Sequence, residues 1–122
     1  MATNDQMVVF HLSSDDPIKA GKALRLAKKS LDYVGKSVIY VDCQGVKIVQ
    51  RSTGGFTIPG TDMNSLDVIR EFLADGGLIF AGKECMKIFD ISVTDIIAGC
   101  EQADPATTFK YLLGEDTKLI SW

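Results

Sequence analysis

The chain has 122 residues, 46% of them apolar and 24% charged, enough for one globular domain with a core of useful size and too few for two. Its 13 Lys and Arg are dispersed and outnumbered by 16 Asp and Glu, for a net charge of −3 and a pI near 5.0, so no nucleic-acid or anionic-membrane partner is expected, either of which would need clustered cations. No window approaches the roughly 18 apolar residues of a membrane span, and MATNDQMVVFHL lacks the basic segment and long apolar run of a signal peptide, which makes a cytoplasmic protein with reduced thiols the expectation.

MVVFHL, residues 7–12, is a continuous apolar run rich in β-branched and aromatic side chains. It predicts a strand buried on both faces. SSDDP follows, where Asp15 or Asp16 can cap a helix and Pro17 suits its first position. Ala20, Leu24, Ala27, Leu31 and Val34 then recur at helical spacing, and Gly35 supplies a left-handed stop. SVIYV, residues 37–41, is a second strand of the buried type. A strand–helix–strand order of this kind predicts a right-handed parallel crossover.

Residues 43–62, CQGVKIVQRSTGGFTIPGTD, hold one short apolar stretch, Val46 to Val49, that fits either a helical turn or a short strand. Gly54, Gly55, Pro59 and Gly60 mark the rest as a loop, long for so small a domain and placed to line a site or an interface. NSLDVIREFLADGG, residues 64–77, predicts a helix with Leu66, Ile69 and Leu73 on one face and two glycines at its end. LIFA, residues 78–81, is a third strand, followed by a helix from about Glu84 to Phe89. SVTDIIAG, residues 92–99, predicts another short helix, capped by Ser92 or Thr94. DPATTFKYLLG repeats the Asp-Pro helix start and the Gly stop, and KLISW, residues 118–122, is the last strand. The alternation predicts a single domain over residues 1–122, a three-layer α/β/α sandwich around a mainly parallel sheet. In such sheets ligands sit in the crevice beyond the carboxyl ends of the strands.

Several chemically capable residues fall at that end: the Ser13–Asp16 loop, Asp42 with Cys43, and the loop from Gly82 to Cys85. Cys85 begins a helix, where unpaired amides favour a thiolate. Its spacing with Ile88 and Phe89 also fits a packed apolar face, and free cysteine is among the most buried residue types. Cys43 is a second candidate thiol, while Cys100 reads as core. Three widely spaced cysteines make no disulfide framework, and one histidine with no close Cys pair makes no zinc site. That histidine, His11, is either a satisfied core residue or a proton carrier facing the crevice. SSDDP lacks the glycines of a phosphate cradle and is acidic, so a nucleotide or flavin is disfavoured and no cofactor is expected. A flavodoxin-like electron carrier lacks its phosphate loop for the same reason. The acidic pairs Asp15/Asp16 and Glu115/Asp116 read as a cap and a solvated loop. No Gly-x-Ser-x-Gly elbow or Cys-x-x-Cys pair is present.

Taken together, VVFHLSSDDPIKAGKALRLAKKSLDYVGKSVIYVDCQGV, FLADGGLIFAGKECMKIFDISVTDIIAG and the closing KLISW resemble the DsrE/DsrF-like family of small sulfur-relay proteins along nearly the whole chain. The order and spacing of the elements carry the resemblance rather than any single motif. It implies a DsrE-like α/β fold with flavodoxin-like topology, a homo-oligomer (trimer or hexamer), and sulfur donor and acceptor proteins as partners. In active members a cysteine carries sulfane sulfur as a persulfide. Ala81 and Gly82 stand where the family places its usual cysteine, and Cys85 matches the second cysteine of members with a C-x-x-C-like loop. The expectation is therefore a sulfur carrier working through Cys85, the position the resemblance matches, with Cys43 and His11, placed at strand ends, as further site residues. The other expectation is a non-catalytic binding or assembly module with buried thiols, using the 50–62 loop and Trp122 as contact elements.

Overall fold

The computed structural model describes residues 6–114 and 116–122; Glu115, half of one acidic pair, lies outside them. Five strands form one sheet: β1 (Met7–Leu12), β2 (Lys36–Val41), β3 (Leu78–Gly82), β4 (Cys100–Ala103) and β5 (Thr117–Ser121). Four α-helices accompany them: α1 (Pro17–Ser30), α2 (Ser65–Ala74), α3 (Lys83–Ile88) and α4 (Pro105–Leu112). Every neighbouring pair of strands is parallel, and the order across the sheet is β4-β3-β2-β1-β5.

That order explains the layering. From β1 to β4 the chain steps repeatedly in one direction, so right-handed crossovers put α1, α2 and α3 on one face. There Phe10, Leu12, Ile39, Val41, Ile79 and Ala81 meet Ala20, Leu24, Leu66, Ile69, Phe72 and Met86 in a single buried cluster. Only the return from β4 to β5 crosses the other face. There Val9, Val38, Phe80 and Ala103 pack with Tyr111 and Leu112 of α4. The three-layer sandwich is therefore as expected. The flavodoxin-like strand order 2-1-3-4-5 is not adopted, because β3 pairs with β2 instead of β1, and β5 returns beside β1.

Local chemistry sets the helix starts. The Asp16 carboxylate accepts from Lys19 N at 3.0 Å ahead of Pro17, and Asp104 accepts from Thr107 N at 2.9 Å ahead of Pro105. Each such cap stabilises by about 1 kcal/mol. The end of α1 differs from expectation. The helix stops at Ser30, Leu31 is right-handed, and Gly35 has no positive φ. A tight turn closed by Val34 N to Ser30 O at 3.0 Å ends the helix instead. Val46 to Val49 belongs to a 3-10 helix, Cys43–Val49. Residues 92–99 hold one 3-10 turn, Val93–Asp95, capped by Ser92, in place of the expected helix. The chain then enters β4, which sequence reasoning missed. β4 is a four-residue edge strand, Cys-Glu-Gln-Ala, with only its first and last residues buried, so it carries no apolar run to read. Among the described residues, no helix is long and apolar enough to cross a membrane.

Candidate functional site

The alternation of strand side chains places His11 and Tyr40 on the α4 face of the sheet, beside each other in the β1–β2 register. Asp42, two residues beyond Tyr40, continues that face past the end of β2. His11 is half-buried and fully engaged. Its Nε2 lies 2.9 Å from Asp42 Oδ1 and its Nδ1 3.3 Å from Ser121 Oγ. Its ring stacks on Tyr40 at 5.7 Å between centroids. The Nε2–H tautomer satisfies both partners: it donates to the carboxylate and accepts the Ser121 hydroxyl proton. Burial raises the Tyr40 phenol above its ordinary range, while a hydrogen bond with Thr108 of α4 works in the opposite direction.

Cys43 follows directly. It is exposed and sits at φ +48, in the left-handed region, where a residue with a Cβ is strained by roughly 1–2 kcal/mol. The negative charge of Asp42 is the main reason that the Cys43 thiol is held above the ordinary thiol range, with burial and the neighbouring Cys85 adding to it. Two glycines make this approach possible. A Cβ on Gly45 would lie 2.2 Å from the Leu12 carbonyl oxygen, so only glycine lets the 3-10 helix tuck against the end of β1. A Cβ on Gly82 would come within 3.2 Å of Tyr40 Oη and 3.5 Å of Asp42 Cβ.

Cys85 is the third residue of α3, whose start has no side-chain cap. It is half-buried, with one flank against the main core, and it lies close enough to Cys43 to oppose ionisation of that thiol. Its position is therefore intermediate between an open thiol and a core residue. The expected packed face needs one correction: Ile88 is 73% exposed, and Met86, at 1%, is the buried residue of α3. Cys100 is core, and burial pushes its thiol up to about 12, which makes it unreactive.

The structure thus unites Cys85, Cys43 and His11, together with Asp42. In the Ser13–Asp16 loop, Ser14 Oγ accepts from Asp16 N at 3.0 Å, Asp16 caps α1, and Ser13 Oγ donates to the Trp122 carbonyl at 2.8 Å. Tyr40 and Ser121 were not anticipated. Tyr40 was legible, being two residues before Asp42 on the same strand. Ser121 was not, because its place beside His11 depends on β5 pairing with β1. Among the described residues, no three His, Cys, Asp or Glu side chains converge to hold a metal ion. A cavity of about 1030 Å³ is an open groove between α1 and the 58–63 loop, lined by residues such as Lys22, Arg25, Leu26, Ile58 and Met63. Size alone would favour it as a site. It contains no thiol or imidazole, so the cluster at the strand ends holds the chemistry.

No family model matches this chain, and no curated protein does. Among solved structures it is similar to the protein of unknown function MTH1491 from Methanobacterium thermoautotrophicum, with a TM-score of 0.69 and 16% identity over 97% of this chain and 100% of that one. It is also similar to the ychN protein from E. coli, with a TM-score of 0.74 and 18% identity over 97% of this chain and 99% of that one. At such identities the likeness establishes the α/β fold across nearly the whole chain.

Proposed function

We propose that the protein is a cytoplasmic, DsrE-like sulfur carrier in which Cys85 receives sulfane sulfur as a persulfide and passes it to a partner. The observation that carries this reading is the meeting of two solvent-reached thiols with a His–Asp pair beyond the carboxyl ends of β1, β2 and β3. In the loading step the Cys85 thiolate attacks the outer sulfur of a donor persulfide, a Cys85 Sγ–S bond forms, and the donor leaves as a thiolate. In delivery an acceptor thiolate attacks that same outer sulfur. Asp42, hydrogen-bonded to His11 and next to Cys43 in the chain, sets an imidazole beside the thiols. Reduced protein incubated with inorganic polysulfide and weighed intact gains sulfur at Cys85. Equal uptake by Cys85→Ser overturns the proposal.

The assembly-module reading draws on a different observation. Phe109 of α4, Leu113 just after it, and Leu119 and Ile120 of the edge strand β5 are exposed apolar side chains. They support a homo-oligomer under either reading, and the family resemblance makes a trimer or hexamer the form proposed. Buried thiols, the other premise of that reading, apply only to Cys100 among the three cysteines. Of its contact elements, Trp122 is half-buried and stacked on Phe10, and the 50–62 loop sinks Ile58 into the core. Thiol modification of the native protein separates the two. Rapid labelling of Cys85 favours the carrier, and labelling only after denaturation favours the module.

A further inference from the structure

The rim also holds a serine, a histidine and an aspartate in hydrogen-bonded series. Ser121 Oγ lies 3.3 Å from His11 Nδ1, and His11 Nε2 lies 2.9 Å from Asp42 Oδ1. Catalytic hydrogen bonds are often this long before substrate tightens them. Exposure rises along the series: the Asp42 side chain is 23% exposed and that of His11 29%, while Ser121 is open to solvent. The Tyr40 ring stacks on the imidazole at 5.7 Å and steadies it from a second side. With Nε2–H donated to the carboxylate, Nδ1 is left as a base facing the Ser121 hydroxyl. Those are the roles of a Ser-His-Asp triad, which is defined by geometry and not by order in the chain. The sulfur-transfer steps give Ser121 no part.

We propose that Ser121 is a catalytic nucleophile and that the chain has a second activity, hydrolysis of activated esters of apolar acids. Ser121 Oγ attacks the acyl carbon, and its proton passes to His11 Nδ1. The ester C–O bond breaks, and the leaving oxygen departs as an alcohol or phenol with that proton. The same nitrogen then takes a proton from water, whose oxygen attacks the acyl-serine carbon. The acid leaves, and the proton returns to Ser121 Oγ. Ester and water thus become acid and alcohol, with no change of oxidation state. Asp42 is a positioning residue that fixes the tautomer and stabilises the imidazolium. Two features set the substrate class. The amide after the nucleophile, Trp122 N, is spent on the His11 carbonyl at 2.8 Å and is not free to hold an oxyanion. The leaving group must then carry more of the barrier, which selects aryl esters over amides. Leu119 lies two residues before Ser121 on the same face of β5 and is exposed, so it offers the acyl chain an apolar surface.

Diisopropyl fluorophosphate tests this on the wild-type protein, since it phosphorylates an activated serine with loss of fluoride and spares thiols. The adduct is mapped by peptide mass spectrometry, and hydrolysis of p-nitrophenyl butyrate is followed before and after treatment. The expected result is one adduct at Ser121, with loss of a hydrolytic component that Ser121→Ala also lacks; hydrolysis by the thiols survives the reagent. His11→Gln is expected to slow labelling by about a hundredfold. Asp42→Asn should slow it too, and Asp42→Glu should restore part of the rate. A wild type without an adduct at Ser121, or a His11→Gln variant labelled as fast as wild type, overturns the proposal, and the Ser121–His11 bond then only ties β5 to β1. Sulfur loading at Cys85 is read separately by intact mass and stands or falls apart from these outcomes.

Discussion

Cys43 combines two costs that can be measured separately, one in its backbone and one in its thiol. The left-handed φ disfavours any side chain branched at Cβ. Cys43→Val should therefore lower stability to denaturant by about 1–2 kcal/mol, whereas Cys43→Gly should match or exceed wild type while abolishing the thiol. The raised thiol makes a kinetic prediction. The Asp42 carboxylate opposes ionisation of Cys43, so Asp42→Asn lowers that pKa and speeds alkylation of Cys43 at neutral pH. Rates at each cysteine, read by mass mapping across pH, check the direction. Cys100 yields a stability prediction. The folded state holds its thiol neutral up to about 12, whereas the ordinary value is 9.0. Its stabilising contribution is complete below pH 9.0 and is lost as pH rises towards 12, at about 1.4 kcal/mol per pH unit. Cys100→Ala should flatten the alkaline fall of the denaturation midpoint, although the cavity it leaves lowers stability at every pH.

At the scale of elements, the 3-10 helix after β2 is the piece that delivers Cys43. Gly45→Ala drives a Cβ into the Leu12 carbonyl, and the segment must move. A loss on the order of 1–3 kcal/mol is expected, together with slower disulfide closure between Cys43 and Cys85 under a mild thiol oxidant. Unchanged closure would show that the helix does not position the thiol. The apolar runs of β1, β2, β3 and β5 and the Asp-Pro starts of α1 and α4 were legible, because burial and capping leave marks within a few neighbouring residues. β4 left no such mark, being a short and mostly polar edge. The end of α1 was misread because a turn closed by backbone bonds does not need glycine. Cys43 and Cys85 were each legible as residues beyond a strand end. Their meeting was not, since it depends on β2 and β3 being neighbours in the sheet.

For the molecule as a whole, the strand order leaves three helices on one face and α4 alone on the other. That second layer is thin, and its outer margin with β5 exposes Leu113 and Leu119. If this margin joins copies of the chain, Leu119→Lys should reduce the mass seen by light scattering to that of a monomer while the far-ultraviolet circular dichroism stays unchanged. A wild type that is already monomeric would count against the oligomer.

The chain also carries its own optical indicator. Its single tryptophan, Trp122, stacks on Phe10, donates its backbone N–H to the His11 carbonyl at 2.8 Å, and accepts from Ser13 N at 3.0 Å. An indole tied this closely to the strand bearing His11 experiences any rearrangement at that rim as a change in its emission. Any loading of the thiols that shifts this rim should therefore register in real time as a change in intrinsic fluorescence, without a label that would itself compete for them.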